Sequence, residues 1–279
     1  MIDFHCHSTA SDGTYSPLQL LEMAENLGIS HLAITDHDTT DGLDEFFSRE
    51  TNVVRVPGIE ISVQFKGGEL HVVGLFINRH HKSFVEMEEK LKESRKTRNS
   101  KMILELSKLV KRPVALSDLT DNVHGQLGRP HVAKYLVRNG FALSMQDAFD
   151  KYLKNGMPLA IHRELISINE ALDVIKASGG ISIVAHPSTL KRTHEELEEL
   201  MIEYKALGLD GMEAYSSHSL PENKSIYEDI ALRNGLIISC GSDFHGANGK
   251  VPSLGANIGN LKDSDILDPI MKKLELINC

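Results

Sequence analysis

The feature that most constrains this chain is an alternation: short apolar runs, each followed by a stretch with helical periodicity, recurring at both ends of its 279 residues. Extended runs fall at 2–7, 31–35, 53–65, 69–77, 181–185, 210–214 and 236–240. Helices are expected at 17–28, 42–49, 167–178, 194–207, 221–234 and 263–276. The first of these has Ser16 as its N-cap, Pro17 at its first position and Gly28 as its stop. Strands separated by helices connect through crossovers, so the fold class is α/β with a parallel sheet of about seven strands. Gly58 is expected to interrupt the third run, and Gly67 with Gly68 to turn the chain back as a hairpin.

The alternation lapses between residues 79 and 164. Helical periodicity takes over there, with one long helix at 82–110 whose apolar stripe is Phe84, Met87, Leu91, Met102, Leu106 and Leu109. Shorter helices are expected at 117–123, 130–139 and 144–154. The domain reading is therefore a body at 1–78 and 165–279 carrying an inserted helical subdomain at 79–164. Charge divides in the same way. The insertion holds 17 Lys+Arg against 10 Asp+Glu, a net +7, which leaves 13 against 29, a net −16, for the body.

The overall charge of −9 argues against non-specific coating of nucleic acid. No apolar run approaches the roughly 18 residues that span a membrane, and no basic segment precedes an apolar one at the N-terminus, so a cytoplasmic enzyme is expected. Three widely spaced cysteines, Cys6, Cys240 and Cys279, read as reduced thiols.

Fourteen histidines against no tryptophan is the compositional oddity, and their positions matter more than their number. Each ligand-type cluster lies at or just beyond the C-terminal end of an extended run, where α/β barrels keep their active sites, except the His5 and His7 pair and the Glu60 and His71 pair, which lie within runs near an end. His5 and His7 alternate along the first run, so they share one face while Cys6 points to the other. The loop after them brings Asp12. Asp36, His37 and Asp38 follow the second run. Glu60 sits between Ile59 and Ile61, and a buried carboxylate needs a partner or a cation. The hairpin returns His71 to its side. His186 and Asp243 with His245 close the fifth and seventh runs. His5, His7, Asp12, His37, Glu60, His71, His186, Asp243 and His245 are too many ligands for one transition metal. They suit two or three, with Glu60 as a bridging carboxylate. Imidazole and carboxylate without thiolate favour Mn, Zn or Fe over magnesium.

These segments, His5-Cys6-His7 with Asp12, Thr35-Asp36-His37, Glu60 with His71, Ala185-His186-Pro187 and Gly241-Ser242-Asp243-Phe244-His245, resemble the signature motifs of the PHP (polymerase and histidinol phosphatase) superfamily. The resemblance covers residues 1–78 and 165–276. It implies a distorted, TIM-like barrel of seven β/α units, a trinuclear metal centre and hydrolysis of phosphoesters through a metal-bridging hydroxide. The insertion, with Leu127-Gly128-Arg129-Pro130-His131, is similar to the small phosphoesterases of that superfamily that act on nucleotides, nucleoside 3′,5′-bisphosphates and short RNA 5′ ends, and it implies a substrate-capping role. The site this gives assigns catalysis to Glu60, Asp243 and His218, substrate contact to Arg129, His131 and His218, and metal binding to the nine ligands. The partner is a small phosphate ester or a short oligoribonucleotide. Histidinol-phosphate phosphatase and a non-catalytic PHP module are the alternatives. An amidohydrolase barrel, which also opens with His-x-His, is disfavoured by the closing Asp243-Phe244-His245.

The remaining residues of interest have plainer expectations. Cys6 packs against a helix. Asp36 orients a neighbour rather than binding metal. His31, His80, His81, His124 and His194 are solvated, and the basic run at 90–101 is a solvated helix face. His162 and Arg163 are lesser candidates for substrate contact.

Overall fold

The computed structural model of the chain describes residues 1–119, 127–248 and 253–277. In chain order the main elements among them are β1 (Ile2–Asp3), α1 (Pro17–Leu27), β2 (His31–Ile34), α2 (Leu43–Phe46), β3 (Val54–Val63), β4 (Leu70–Leu75), α3 (Lys82–Val110), α4 (Arg129–Arg138), α5 (Met145–Ala148) and α6 (Ile168–Ala177). They continue with β5 (Ile181–Val184), α7 (His194–Leu207), β6 (Gly211–Ser216), α8 (Pro221–Arg233), β7 (Ile237–Gly241) and α9 (Asp263–Ile277).

The seven strands form one sheet in sequence order. β1 to β3 pair in parallel, as do β5 to β7. β4 runs against both of its neighbours, because the hairpin returns the chain without a crossover helix. The outer strands also meet. Phe4 N donates to Cys240 O at 3.2 Å, His7 N to Phe244 O at 2.9 Å and Asp243 N to His5 O at 2.7 Å, so the sheet is nearly closed into a barrel. Asp3 helps close it: its buried carboxylate accepts from Ser242 N, Gly255 N and His5 N at 2.9, 2.8 and 3.2 Å.

Local chemistry explains most boundaries. Ser16 and Gln19 cap α1 reciprocally, Pro17 starts it, and Gly28 ends it in the left-handed conformation at φ 69°. Thr193 and Glu196 cap α7 in the same way. Cys6 Sγ donates to Ala33 O, and the residue packs with Leu20, Leu21 and Ala24 beneath α1.

Several boundaries differ from expectation. β1 stops at Asp3, because from Phe4 onward the chain bonds irregularly to both sides: Phe4 N to Cys240 O of β7, His7 N to Phe244 O beyond it, and Cys6 O accepting from Thr35 N. β3 is not broken at Gly58. The strand passes there from parallel pairing with β2 to antiparallel pairing with β4. A Cβ at position 58 would stand 2.8 Å from Thr35 Cγ2 and 3.0 Å from Ile34 O, so glycine allows the close approach of β2. The expected helix at 42–49 is one turn, and that at 144–154 passes from α5 into a π turn at Phe149–Leu153. Of the segment 117–123, only a 3₁₀ turn at Leu116–Asp118 is seen; His124 and the rest of that segment from 120 lie outside the described residues, as does Cys279.

The chain divides into two compact units, Met1–Glu88 with Leu165–Cys279, and Glu89–Glu164. The second has a core of its own, in which Met102, Leu106, Val132, Leu136 and Leu153 are buried. Its basic helix face is not uniformly solvated, since Arg95 and Arg98 are buried and Arg98 donates to Leu127 O.

Candidate metal centre

Elements from all round the first unit deliver the nine ligand-type side chains to one pocket. His5 and His7 lie just past β1, His37 past β2, Glu60 within β3 and His71 within β4. His186 follows β5, and Asp243 and His245 follow β7. The hairpin register pairs Ser62 with His71 and Glu60 with Val73, which leaves Glu60 and His71 two positions apart on one face. Their side chains meet, with His71 Nδ1 2.8 Å from Glu60 Oε1.

Three groups within the pocket have atoms close enough together to ligate an ion. One is His7, Asp12, His37 and His245; the second is His5, His7, Glu60 and Asp243; the third is His37, Glu60 and His71. His7, His37 and Glu60 each belong to two groups, so the groups are contiguous. His186 adjoins the third, its Nε2 2.8 Å from Glu60 Oε1 and 3.3 Å from His71 Nδ1.

The donor set fits divalent cations on the evidence of its own unsatisfied atoms. His5 Nε2, both ring nitrogens of His7, Asp12 Oδ1, Glu60 Oε2 and Asp243 Oδ1 are buried without a hydrogen bond. They approach one another, with His7 Nε2 2.9 Å from Asp243 Oδ1 and 3.3 Å from Glu60 Oε2, but not in hydrogen-bonding geometry. A buried polar atom without a partner costs about 1–3 kcal/mol, so six converging in one pocket mark a place for cations.

The electrostatics agree. Burial alone would push the pKa of Glu60 and Asp243 up, yet the imidazoles around them hold both carboxyls well below the ordinary range. Asp12 is also lowered: His37 and His245 overcome its burial. His7 is pushed down to about 3 by burial and by the nearby His245 and His37, which keeps it neutral, with a free lone pair of the kind a cation needs. His5 and His186 are raised despite burial, chiefly by Glu60, and His245 rises to about 9 through Asp12 and Asp243. Protons on these imidazoles offset the carboxylate charge that cations would otherwise offset.

Buried carboxylates behind the ligands fix the loops that carry them. Asp36 accepts from Ser8 N, Ser8 Oγ and Ser11 Oγ at 2.8, 2.6 and 2.6 Å, bracing the loop that presents Asp12. Asp38, in the left-handed region at φ 53°, accepts from Ser62 N at 2.8 Å. Glu88, at the start of α3, accepts from Thr40 N, Thr40 Oγ1 and Thr39 Oγ1 at 2.7, 3.0 and 3.3 Å, holding the far end of the His37 loop. Sequence reading passed over Glu213, which reaches His5 and the backbone of His186 from β6. The signal was the one that exposed Glu60, a carboxylate between apolar residues, here Met212 and Ala214.

His218 stands at the rim, its side chain 38% exposed and its Nε2 2.5 Å from Asp243 Oδ2. Arg129 and His131 lie in the second unit, in the first turn of α4, where His131 Nδ1 accepts from Gly128 N at 3.0 Å. His31 is half-buried, with an edge contact to Phe4 and Ser30 Oγ beside its Nδ1.

A barrel of seven strands with such a centre also marks a known family, whose model, the PHP domain, matches residues 3–212. The chain belongs to the PHP domain family. Among curated PHP relatives it is 34% identical to a 5′-3′ exoribonuclease of Haemophilus influenzae over 97% of this chain and 98% of that one. It is 32% identical to a 3′,5′-nucleoside bisphosphate phosphatase of Chromobacterium violaceum over 98% and 96% of the two chains. A crystal structure described as a metal-dependent phosphoesterase, from Bifidobacterium adolescentis, superposes with a TM-score of 0.81 at 30% identity, covering 98% of this chain and 96% of that one.

Proposed function

We propose that this chain is a metal-dependent phosphoesterase that hydrolyses phosphate esters of nucleotides, among them nucleoside monophosphates and 3′,5′-bisphosphates, using two or three Mn, Zn or Fe ions held by the nine-residue pocket. One observation carries the reading: six unsatisfied, buried ligand atoms converge in a PHP barrel. Bound in this pocket, divalent ions supply Lewis acidity toward phosphoryl oxygens and a water acidified toward neutrality.

The chain's own residues do the rest. Glu60 turns Oε1 toward His71 and His186, each at 2.8 Å, and Oε2 toward His37, His7 and His5 at 2.7, 3.3 and 3.4 Å, the disposition a bridging carboxylate needs. Asp243 sends Oδ1 inward, 2.9 Å from His7 Nε2 and 3.3 Å from His5 Nε2, and keeps Oδ2 for His218. His218, solvent-facing and steadied by that carboxylate, donates a proton to the departing ester oxygen and regains one from water. No serine or cysteine nucleophile is required: Cys6 and Cys240 are buried, with their thiols pushed well up by burial. Arg129, two residues before His131 at the start of α4, contributes a guanidinium for a substrate phosphate.

RNA 5′ ends are a second substrate class, supported by the 34% identity to an exoribonuclease over nearly the whole chain. Removal of a 5′ nucleotide hydrolyses a phosphodiester, again by attack of water on phosphorus, with a ribose 3′ oxygen leaving in place of the alcohol of a monoester. The test is a panel of AMP, 3′,5′-bisphosphoadenosine, histidinol phosphate and a 5′-phosphorylated oligoribonucleotide, assayed with Mn-loaded protein. Turnover of a nucleotide or of the oligoribonucleotide supports the proposal. Turnover of histidinol phosphate alone, or of none, overturns it.

A further inference from the structure

Glu213 is a buried carboxylate with no place among the nine ligands, and its surroundings tie it to two of them. Its Oε1 lies 3.3 Å from His5 Nδ1, and its Oε2 accepts the backbone N–H of His186 at 2.6 Å. We infer that Glu213 is the positioning residue of the metal centre, fixing which ring nitrogen of His5 and which backbone conformation of His186 face the metals. This rests on the metal-centre reading above.

Glu213 first selects a tautomer. A carboxylate only accepts, so His5 Nδ1 carries the proton toward Glu213, and the lone pair of the neutral ring is left on Nε2. That nitrogen points into the pocket, 3.4 Å from Glu60 Oε2 and 3.3 Å from Asp243 Oδ1, with no hydrogen bond of its own. Without Glu213 either ring nitrogen could hold the proton, and half of the possibilities would block the ligand atom.

Glu213 also holds backbone. His186 adopts φ 27° and ψ 67°, a sparsely populated region for a residue with a side chain. The bond from its N–H to Glu213 Oε2 anchors that conformation, in which His186 Nε2 reaches Glu60 Oε1 while Nδ1 lies 3.0 Å from Thr189 Oγ1. One side chain on β6 thus sets a ligand beyond β1 and another beyond β5.

Two features of the sheet serve this contact. β6 shifts register against β7 between Glu213 and Tyr215, an irregularity of the kind that re-aims a side chain. On β7, a Cβ at Gly241 would stand 2.2 Å from His5 Cβ and 2.3 Å from Glu213 Oε1, in the space the pair occupies. Glycine there leaves room for the contact.

The test compares wild type, Glu213→Gln and Glu213→Ala, each stripped with chelator and titrated with Zn²⁺ against a chromogenic competitor, with the fold of each stripped protein checked by circular dichroism. An amide has one acceptor oxygen, so glutamine satisfies one donor and turns an N–H toward the other, whereas alanine satisfies neither. Zinc affinity is expected to fall about 10-fold in Glu213→Gln and about 100-fold in Glu213→Ala, the range for losing a group that orients a ligand. The partial recovery by glutamine is what a residue needed only for folding would not give. A wild-type measurement stands beside the variants. Long-range ¹H–¹⁵N spectra of the zinc-loaded protein, with His5 assigned against His5→Gln, are expected to show Nδ1 protonated and Nε2 bound. A folded Glu213→Gln with wild-type affinity, or His5 bound through Nδ1, overturns the inference. Wild-type protein that takes up no zinc fails in a different way, since it overturns the metal-centre reading itself.

Discussion

Each oxygen of Glu60 meets a different set of imidazoles, His71 and His186 on one side and His5, His7 and His37 on the other. An amide cannot take that place, because only one of its two terminal atoms is a ligand. Glu60→Gln is therefore expected to lower kcat by more than the roughly 10–100-fold that losing an orienting group costs. Phosphate release together with metal content checks this, and a near-normal rate would remove Glu60 from the centre. His218→Ala is expected to lower kcat by about 10²–10⁴-fold with metal content unchanged, the range for a general acid. At this scale the sequence was informative about residue types and about facing in the His5-Cys6-His7 run, and silent about facing where two strand carboxylates look alike. Glu60 and Glu213 give the same signal, a carboxylate inside an apolar strand, and only the register of the strands and the rotation of β6 at its irregularity show that one lines the pocket and the other supports it. His218 was legible as a loop histidine, but its bond to Asp243 depends on where two distant loops end.

The loops after the strands are held from behind, and a strand–loop–helix alternation does not reveal by what. The capped helices α1 and α7 were readable to within about a residue, whereas the end of β1 was not, because past Asp3 the chain also bonds to β7 and the segment after it, at the opposite end of the chain. Glu88 illustrates the hidden supports. It lies among charged residues on a long helix, as a surface residue would, yet it is buried and accepts three hydrogen bonds from Thr39 and Thr40. Glu88→Ala should cost about 2–4 kcal/mol in unfolding free energy, since hydrogen bonds to a charged group contribute about 1.5–3 kcal/mol each and some are replaced by water. Urea denaturation measures it. A loss under about 0.5 kcal/mol, the ordinary range for a surface substitution, would show that the His37 loop holds itself.

Across the whole molecule the account is one of charge. Asp12, Glu60 and Asp243 are acidic groups held in their charged form within a barrel sequence of net −16, and binding cations to the folded state alone must stabilise it. At a free Mn²⁺ concentration about 1,000 times its dissociation constant the gain is about 4 kcal/mol. The melting temperature of chelator-stripped protein should then rise by about 8 °C or more on adding Mn²⁺, at roughly 2–4 °C per kcal/mol for chains of this size. The basic second unit calls for its own test. Arg129→Ala should reduce kcat/KM on the best nucleotide substrate by about 1.5–3 kcal/mol in transition-state binding, with metal content and melting temperature unchanged.

The most direct measurement joins metal to chemistry. Stripped protein is titrated with Mn²⁺, bound metal is counted per chain, and phosphate release from 3′,5′-bisphosphoadenosine and AMP, with nucleotide release from a 5′-phosphorylated oligoribonucleotide, is followed in the same samples. The account predicts at least two ions per chain and hydrolysis of at least one of these esters that rises as the second ion binds. Saturation at one ion or fewer, or hydrolysis that persists at full rate in the stripped protein, would contradict it.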